Sequence, residues 1–216
     1  MLIGCARIGI AFEDPNPPQV NNLVQIPALR AEKQTELQFF SLPKPLSNNT
    51  ITSDWMTFLG PTHNGYSPET QLIRTFGKNA PQKVWEVRRG EGYASASVIG
   101  NRVIIFHRFG NKELVECLDA ESGKRYWKYG YKTQYRDRYG FGNGPRCQAI
   151  SDGQFVYTIG AEAMLHCLEL NTGRILWKRD LRKDFDLTLD FFGFGGSPLL
   201  EDSLSLIHIS EPTRRT

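Results

Sequence analysis

Long apolar runs are missing from this 216-residue sequence, in which Val103 to Phe106 is typical of the longest. A membrane-spanning helix needs about 20 such residues, so no transmembrane segment is expected. Cysteine is scarce. Cys5, Cys117, Cys147 and Cys167 form no C-x-x-C pair and no ligand spacing with the four histidines, which argues against a metal site. Charge of one sign is also lacking: a net charge of +3 without a basic stripe leaves no electrostatic footprint for nucleic acid. What is present is 40% apolar residues, 12% aromatics and 20 glycines, the balance of a turn-rich globular chain.

A block occurs twice. Cys117 to Trp127 reads CLDAESGKRYW and Cys167 to Trp177 reads CLELNTGRILW, an offset of 50 residues. Self-similarity at about 20 to 50 residues marks a repeat architecture. The first unit contains Tyr93 to Ile99, Arg102 to Phe106, Leu114 to Leu118 and Arg125 to Tyr129; the second contains Arg146 to Ile150, Phe155 to Ile159, Leu165 to Leu168 and Arg174 to Lys178. Each segment is short and rich in β-branched or aromatic residues, with turn residues between, so each unit is predicted to be four antiparallel strands. A third unit begins at Gly196 to Leu200, and Lys83 to Val87 is expected to close a preceding one. The fold class is therefore all-β, a partial β-propeller of four-stranded antiparallel blades, about two complete with pieces of the flanking ones.

Gly123 and Gly173 fall in the tight third turn, and Trp127 and Trp177 follow four residues later on the outermost strand. The tryptophans are expected to pack between blades, and Cys117 and Cys167 to be small buried strand residues. Lysine, not aspartate, follows each tryptophan, and the period exceeds the 40 to 45 or so residues of a WD40 blade. The pattern Cys117-x-Asp119-x-x-x-Gly123-Lys124-x-x-Trp127 resembles the tryptophan-docking repeat of the bacterial PQQ-like (pyrroloquinoline-quinone-type) propellers. Thr172, Gly173 and Trp177 keep it in the second copy, with Glu169 in place of the aspartate. The segment from Asp54 to Glu69 resembles the opening motif of secreted members, so the resemblance covers about Asp54 to Asp202.

The ends read differently. Leu2 to Cys5 is similar to a lipobox, which would make Cys5 a lipid anchor if an export signal lies upstream. Residues 1–53 are rich in proline, asparagine and glutamine and read as an extended tether; 54–203 read as the propeller fragment. Leu204 to Arg214 breaks the repeat and is similar to the translation of a sequencing-library adapter, so 204–216 is taken as adapter-derived.

Function is expected on the loops of one face, where inter-blade connections emerge with the turns between second and third strands. The connections from Tyr131 to Pro145 and from Asp180 to Gly196 are long, and a loop beginning at His107 is expected to join them. Arg136, Asp137, Arg138, Tyr139, Asn143 and Arg146, with His107 and Arg108, are the ligand-binding candidates: guanidinium forks, an acceptor and an aromatic face suit a carboxylate, a phosphate or a sugar. The opposing reading is that Asp137 pairs with Arg138 or Arg146 to brace the loop, that Tyr139 and Phe141 cap the blade, and that Asp190, Phe191 and Phe192 pack. No catalytic set can be assembled. The resemblance implies an exported, periplasmic or cell-surface protein. It leaves two functions open: a scaffold for a small molecule or protein partner, or a quinoprotein dehydrogenase holding PQQ and calcium and acting on an alcohol or sugar. Enzymes of the second kind carry adjacent cysteines over the quinone and Glu, Asn and Asp ligands for calcium. No two cysteines are adjacent here.

Overall fold

Alternation of apolar and polar residues, interrupted by glycine, asparagine and aspartate, directs the chain into short antiparallel strands. The computed structural model describes residues 8–12, 36–46, 48–69, 72, 75, 81–189, 192–201 and 204–209. Cys5, Asp190 and Phe191 lie outside these residues. In chain order the elements are β1 (Ile8–Phe12), β2 (Leu37–Phe39), β3 (Trp85–Val87), β4 (Ser97–Ile99), β5 (Arg102–Phe109), β6 (Lys112–Asp119), β7 (Arg125–Lys132), β8 (Ile150–Ser151), β9 (Phe155–Ile159), β10 (Met164–Glu169), β11 (Ile175–Asp180), α1 (Leu181–Phe185), β12 (Leu199–Glu201) and β13 (Leu204–Ile209).

Two four-stranded sheets, in the orders β4-β5-β6-β7 and β8-β9-β10-β11, are the two repeat units. Both are antiparallel throughout, as the repeat predicts. A two-stranded sheet joins β2 to β3, and a three-stranded sheet has the order β1-β13-β12. Strands thus occur within the segment read as a tether and within the stretch taken as adapter-derived.

The innermost strands are shorter than expected. Tyr93 to Ile99 yields only β4, and Arg146 to Ile150 contributes only its last residue to β8. The reason is where their polar groups go. Tyr93 and Ala94 donate their amides to Pro145 O at 2.9 and 3.3 Å, and the Gln148 amide reaches Ser97 Oγ at 2.9 Å and Thr57 O at 3.3 Å. These groups bond to neighbouring chain instead of to a ladder, which satisfies buried polar atoms without extending a strand.

The third turn carries the repeat's signature because its bonds are local. Asp119 Oδ1 accepts from Ser122 N at 2.7 Å and from Ser122 Oγ at 2.6 Å, and Gly123 N donates to Asp119 O at 2.8 Å. In the second blade Thr172 Oγ1 donates to Glu169 Oε2, and Gly173 N to Glu169 O at 2.8 Å. One register shift follows Cys117 and its counterpart follows Cys167. Each such irregularity re-aims the following strand. Cys117 faces Trp127 and Cys167 faces Trp177 across the last strand pair. These cysteines are free and buried, and burial pushes each thiol up to about 12.

Trp127 docks on the next blade. Its Nε1 donates to Leu170 O at 2.8 Å, and a Cβ placed on Gly173 would lie 2.4 Å from the indole. Only glycine permits that approach, and its φ of 69° is left-handed as well. Trp85 repeats the contact one blade earlier, donating to Ala120 O at 2.9 Å and lying against Gly123. The core accordingly lies between blades: Ile99, Ile104, Phe106, Val115 and Trp127 of the first pack with Val156 and Leu170 of the second. Burial of each large side chain contributes roughly 1.5–3 kcal/mol.

A polar cluster crosses the same interface. Glu113 of β6 accepts a hydrogen bond from Ala161 N at 3.0 Å and another from Tyr131 Oη, and Tyr131 lies 4.2 Å from the buried ring of His166 on β10. Burial, reinforced by the charge of Lys178, lowers His166 to about 4 from 6.5. The folded state therefore keeps His166 neutral where the unfolded chain takes up a proton, so stability is lost as pH falls from about 6.5 towards 4. Burial raises Glu113 instead, and protonation there acts in the opposite sense. His166→Phe keeps a ring against Tyr131 and cannot titrate. It is expected to remove a loss of up to about 3 kcal/mol across that window, measured as urea stability at successive pH values.

Candidate functional site

Antiparallel order brings the turns between second and third strands to the end of the molecule where the inter-blade connections emerge. Thr133 N donates to Asn111 O at 2.9 Å, Leu181 N to Ala163 O at 3.1 Å and Phe194 N to Ala161 O at 2.9 Å, tying each connection to its turn. The loops in question are 88–96, 133–149 and 181–198.

Arg146 organises the middle loop. Its guanidinium donates to Asp137 Oδ2 at 2.8 Å, Gly144 O at 2.7 Å and Gly142 O at 3.1 Å, and lies over the rings of Tyr135 at 5.1 Å and Tyr93 at 5.9 Å. Asp137 Oδ1 accepts from Tyr139 N at 2.7 Å. Asn143 Oδ1 accepts from Asp137 N at 3.0 Å, while Asn143 N and Nδ2 donate to Glu91 Oε2 at 2.9 and 3.1 Å. Those bonds, the backbone one foremost, hold the Glu91 carboxyl below its usual range. A charged, hydrogen-bonded pair of this kind fixes geometry.

His107 and Arg108 are not in a loop. They continue β5, and both are buried. His107 Nδ1 accepts from Gly90 N at 2.9 Å, so Nε2 carries the proton towards Glu116 Oε1 at 3.1 Å; Arg125 donates to Glu116 Oε2 at 2.9 Å. Arg108 donates from Nε to Gly110 O at 2.7 Å and from Nη1 to Tyr135 O and Asn143 O, each at 2.8 Å. The joining loop expected at His107 is instead a tight turn at Gly110 and Asn111. The strand continues because the polar side chains at its end find buried partners on other segments.

His107, Arg108, Asp137, Asn143 and Arg146 are thus engaged within the protein, whereas Arg136, Arg138 and Tyr139 are exposed. Around Tyr139 lie three surface aromatics, Tyr93, Phe141 and Phe192, that are not among the ligand-binding candidates of the sequence. Tyr139, Phe141 and Phe192 are 58%, 60% and 51% exposed, with ring centroids 6.4, 6.1 and 5.9 Å apart. Tyr93, 60% exposed, donates its hydroxyl to Phe141 O. The four rings form a ridge across three inter-blade loops. The signal available in the sequence is aromatics alternating with glycine, as in Tyr139 to Gly142 and Phe192 to Phe194.

A seat for PQQ and calcium needs converging oxygen donors. Among the described residues no three His, Cys, Asp or Glu side chains converge, and Glu91, Glu113 and Asp137 are held by Asn143, Tyr131 and Arg146. These residues do not fit that group.

A family model described as outer membrane protein assembly factor BamB matches residues 111–203. Among solved structures the chain is similar to BamB from Moraxella catarrhalis, with 22% identity and a TM-score of 0.41 over 58% of this chain and 33% of that one. It is also similar to the quinohemoprotein alcohol dehydrogenase of Comamonas testosteroni (19% identity, TM-score 0.38, 53% of this chain and 16% of that one). A europium-containing methanol dehydrogenase is comparable, at 17% identity and a TM-score of 0.38 over 53% of this chain and 19% of that one. The matched region spans a third or less of the length of these structures. No curated protein sequence matches. Residues 111–203 thus match a PQQ-like propeller model, and the docked tryptophans of the described blades accord with that repeat.

Proposed function

We propose that the chain is part of an exported binding scaffold that recognises a protein partner through the loop-bearing end of its blades, in the periplasm or at the cell surface. The observation that carries this reading is the ridge of Tyr93, Phe141, Tyr139 and Phe192, exposed on loops of which Arg108 and Arg146 hold the middle one in place and Phe194 N, bonded to Ala161 O, ties the last. Exposed aromatics beside arginine have the composition of interface hot spots, and pre-ordered loops lose little entropy on binding. The match to an outer membrane assembly factor supports both the scaffold role and the location.

Photo-crosslinking in cells tests it. A photoreactive phenylalanine analogue in place of Tyr139 in the complete protein is expected to give a discrete protein adduct. The same group in place of Asn101, at the opposite end of the blade, is expected to give none. Equal labelling from both ends, or none from either, counts against the reading.

A further inference from the structure

We propose that the occupant of this ridge is an extended acidic peptide segment that presents aromatic or large aliphatic side chains. The inference rests on the scaffold reading and specifies its partner. Three observations lead to it. The first is the arrangement of the rings: Tyr139, Phe141 and Phe192 are inclined to one another by 43°, 43° and 61°. Rings so tilted do not form the flat face on which a sugar ring or a base stacks. With centroids no more than 6.4 Å apart, they offer one apolar side chain a shared contact.

The second is charge. Loops 88–96, 133–149 and 181–198 together carry six arginines and one lysine against five acids. Glu91, Asp137 and Asp184 are engaged within the protein, by Asn143, Arg146 and Arg179, while Arg88, Arg136 and Arg138 are exposed. The balance of these loops is net positive by two charges, concentrated on loops 88–96 and 133–149, and it favours an acidic partner. The third is shape. The aromatics span three successive loops, with the Tyr93 hydroxyl bonded to Phe141 O and the Phe141 ring against Phe192, which suits an extended backbone placing several side chains on one side.

The test uses the complete protein and a fluorescent eight-residue peptide of alternating aspartate and phenylalanine, followed by anisotropy. The peptide is expected to bind, and binding is expected to weaken about tenfold with Phe192→Ala or with Arg138→Glu. It should also weaken steeply in 0.5 M salt, about half a molar being enough to shorten the screening length to a few ångströms. Peptides with lysine for aspartate, or alanine for phenylalanine, are expected to bind at least tenfold more weakly. Both substitutions are on the surface, so unchanged thermal melts serve as the folding control. Equal binding of the acid-only peptide, or binding indifferent to both substitutions, overturns the proposal. If the peptide fails while the adduct at position 139 persists, the partner chemistry is wrong and the scaffold reading stands; if both fail, both are wrong.

Discussion

Trp127→Ala is expected to destabilise the protein by about 3–5 kcal/mol, the range for removing a large aromatic from a packed interior. The indole is 8% exposed and is the main contact between the outer strand of one blade and the third turn of the next. Its loss opens a cavity against Gly173 and leaves Leu170 O without its donor. Trp127→Phe separates these effects. It restores most of the ring and still lacks the N–H, so it should cost about 1–3 kcal/mol, the penalty of an orphaned buried acceptor. Gly173→Ala attacks the same contact from the other side. The added methyl meets the indole at 2.4 Å, and the backbone is left-handed at φ 69°. Overpacking costs about 1–3 kcal/mol, and the strained backbone adds about 1 kcal/mol. The clash disappears once the indole is gone, so the double variant should be less destabilised than the two single effects added together. Urea unfolding of the complete protein measures all four variants. A loss in the double variant equal to the sum of the two single losses would show that the indole and Gly173 do not meet.

The blades were legible in the sequence because their determinants are local. Asp119, Ser122 and Gly123 close a turn with bonds that span at most four residues, and Glu169, Thr172 and Gly173 close the next in the same way. Such a turn announces itself wherever it occurs. Trp85 was read only as an aromatic on a closing strand. Its docking on Ala120 and Gly123 joins residues 35 or more apart, and no block resembling the other two surrounds it. The site was legible in part. The sequence points to the middle loop, and Asp137 pairs there with Arg146, one of the two partners expected for it. His107 and Arg108 were misplaced because the apolar run ends at Phe106, and a polar pair after it reads as the start of a loop. The partners that keep them on the strand, Gly90, Glu116, Tyr135 and Asn143, are 9 to 35 residues away. The aromatic ridge was missed for a related reason. Phenylalanine in a glycine-rich loop reads as packing, and only the tertiary structure shows that the loops meet with their rings outward.

Arg108→Ala is expected to cost about 2–4 kcal/mol and, more tellingly, to release the middle loop while leaving the blades intact. The side chain is 4% exposed and donates to three carbonyls, those of Gly110, Tyr135 and Asn143. Gly110 is exposed and regains a partner in water. The bonds to Tyr135 and Asn143 lie in buried and partly buried surroundings, where each lost donor costs about 1–3 kcal/mol. Removing the cation also strengthens the upward push that burial exerts on the neighbouring Glu113, because Arg108 opposes it. Lysine does not replace it, since one ammonium cannot span the separated carbonyls that a planar fork reaches. Trypsin reads the consequence directly. Arg136 and Arg138 are exposed on the loop that Arg108 holds, and cleavage there requires the loop to open locally. Arg108→Ala and Arg108→Lys should both be cut at these two sites at least tenfold faster than the parent, a factor of ten corresponding to about 1.4 kcal/mol of local stability. Arg136→Ala should leave cutting after Arg138 and the global stability nearly unchanged, within about 0.5 kcal/mol. Faster cleavage with the blade strands still folded would place Arg108 as the staple of the loop, and the same substitution should then weaken binding of the acidic peptide without altering any ring that contacts it. Cleavage unchanged in Arg108→Ala would mean that Arg146 and Asn143 alone hold the loop.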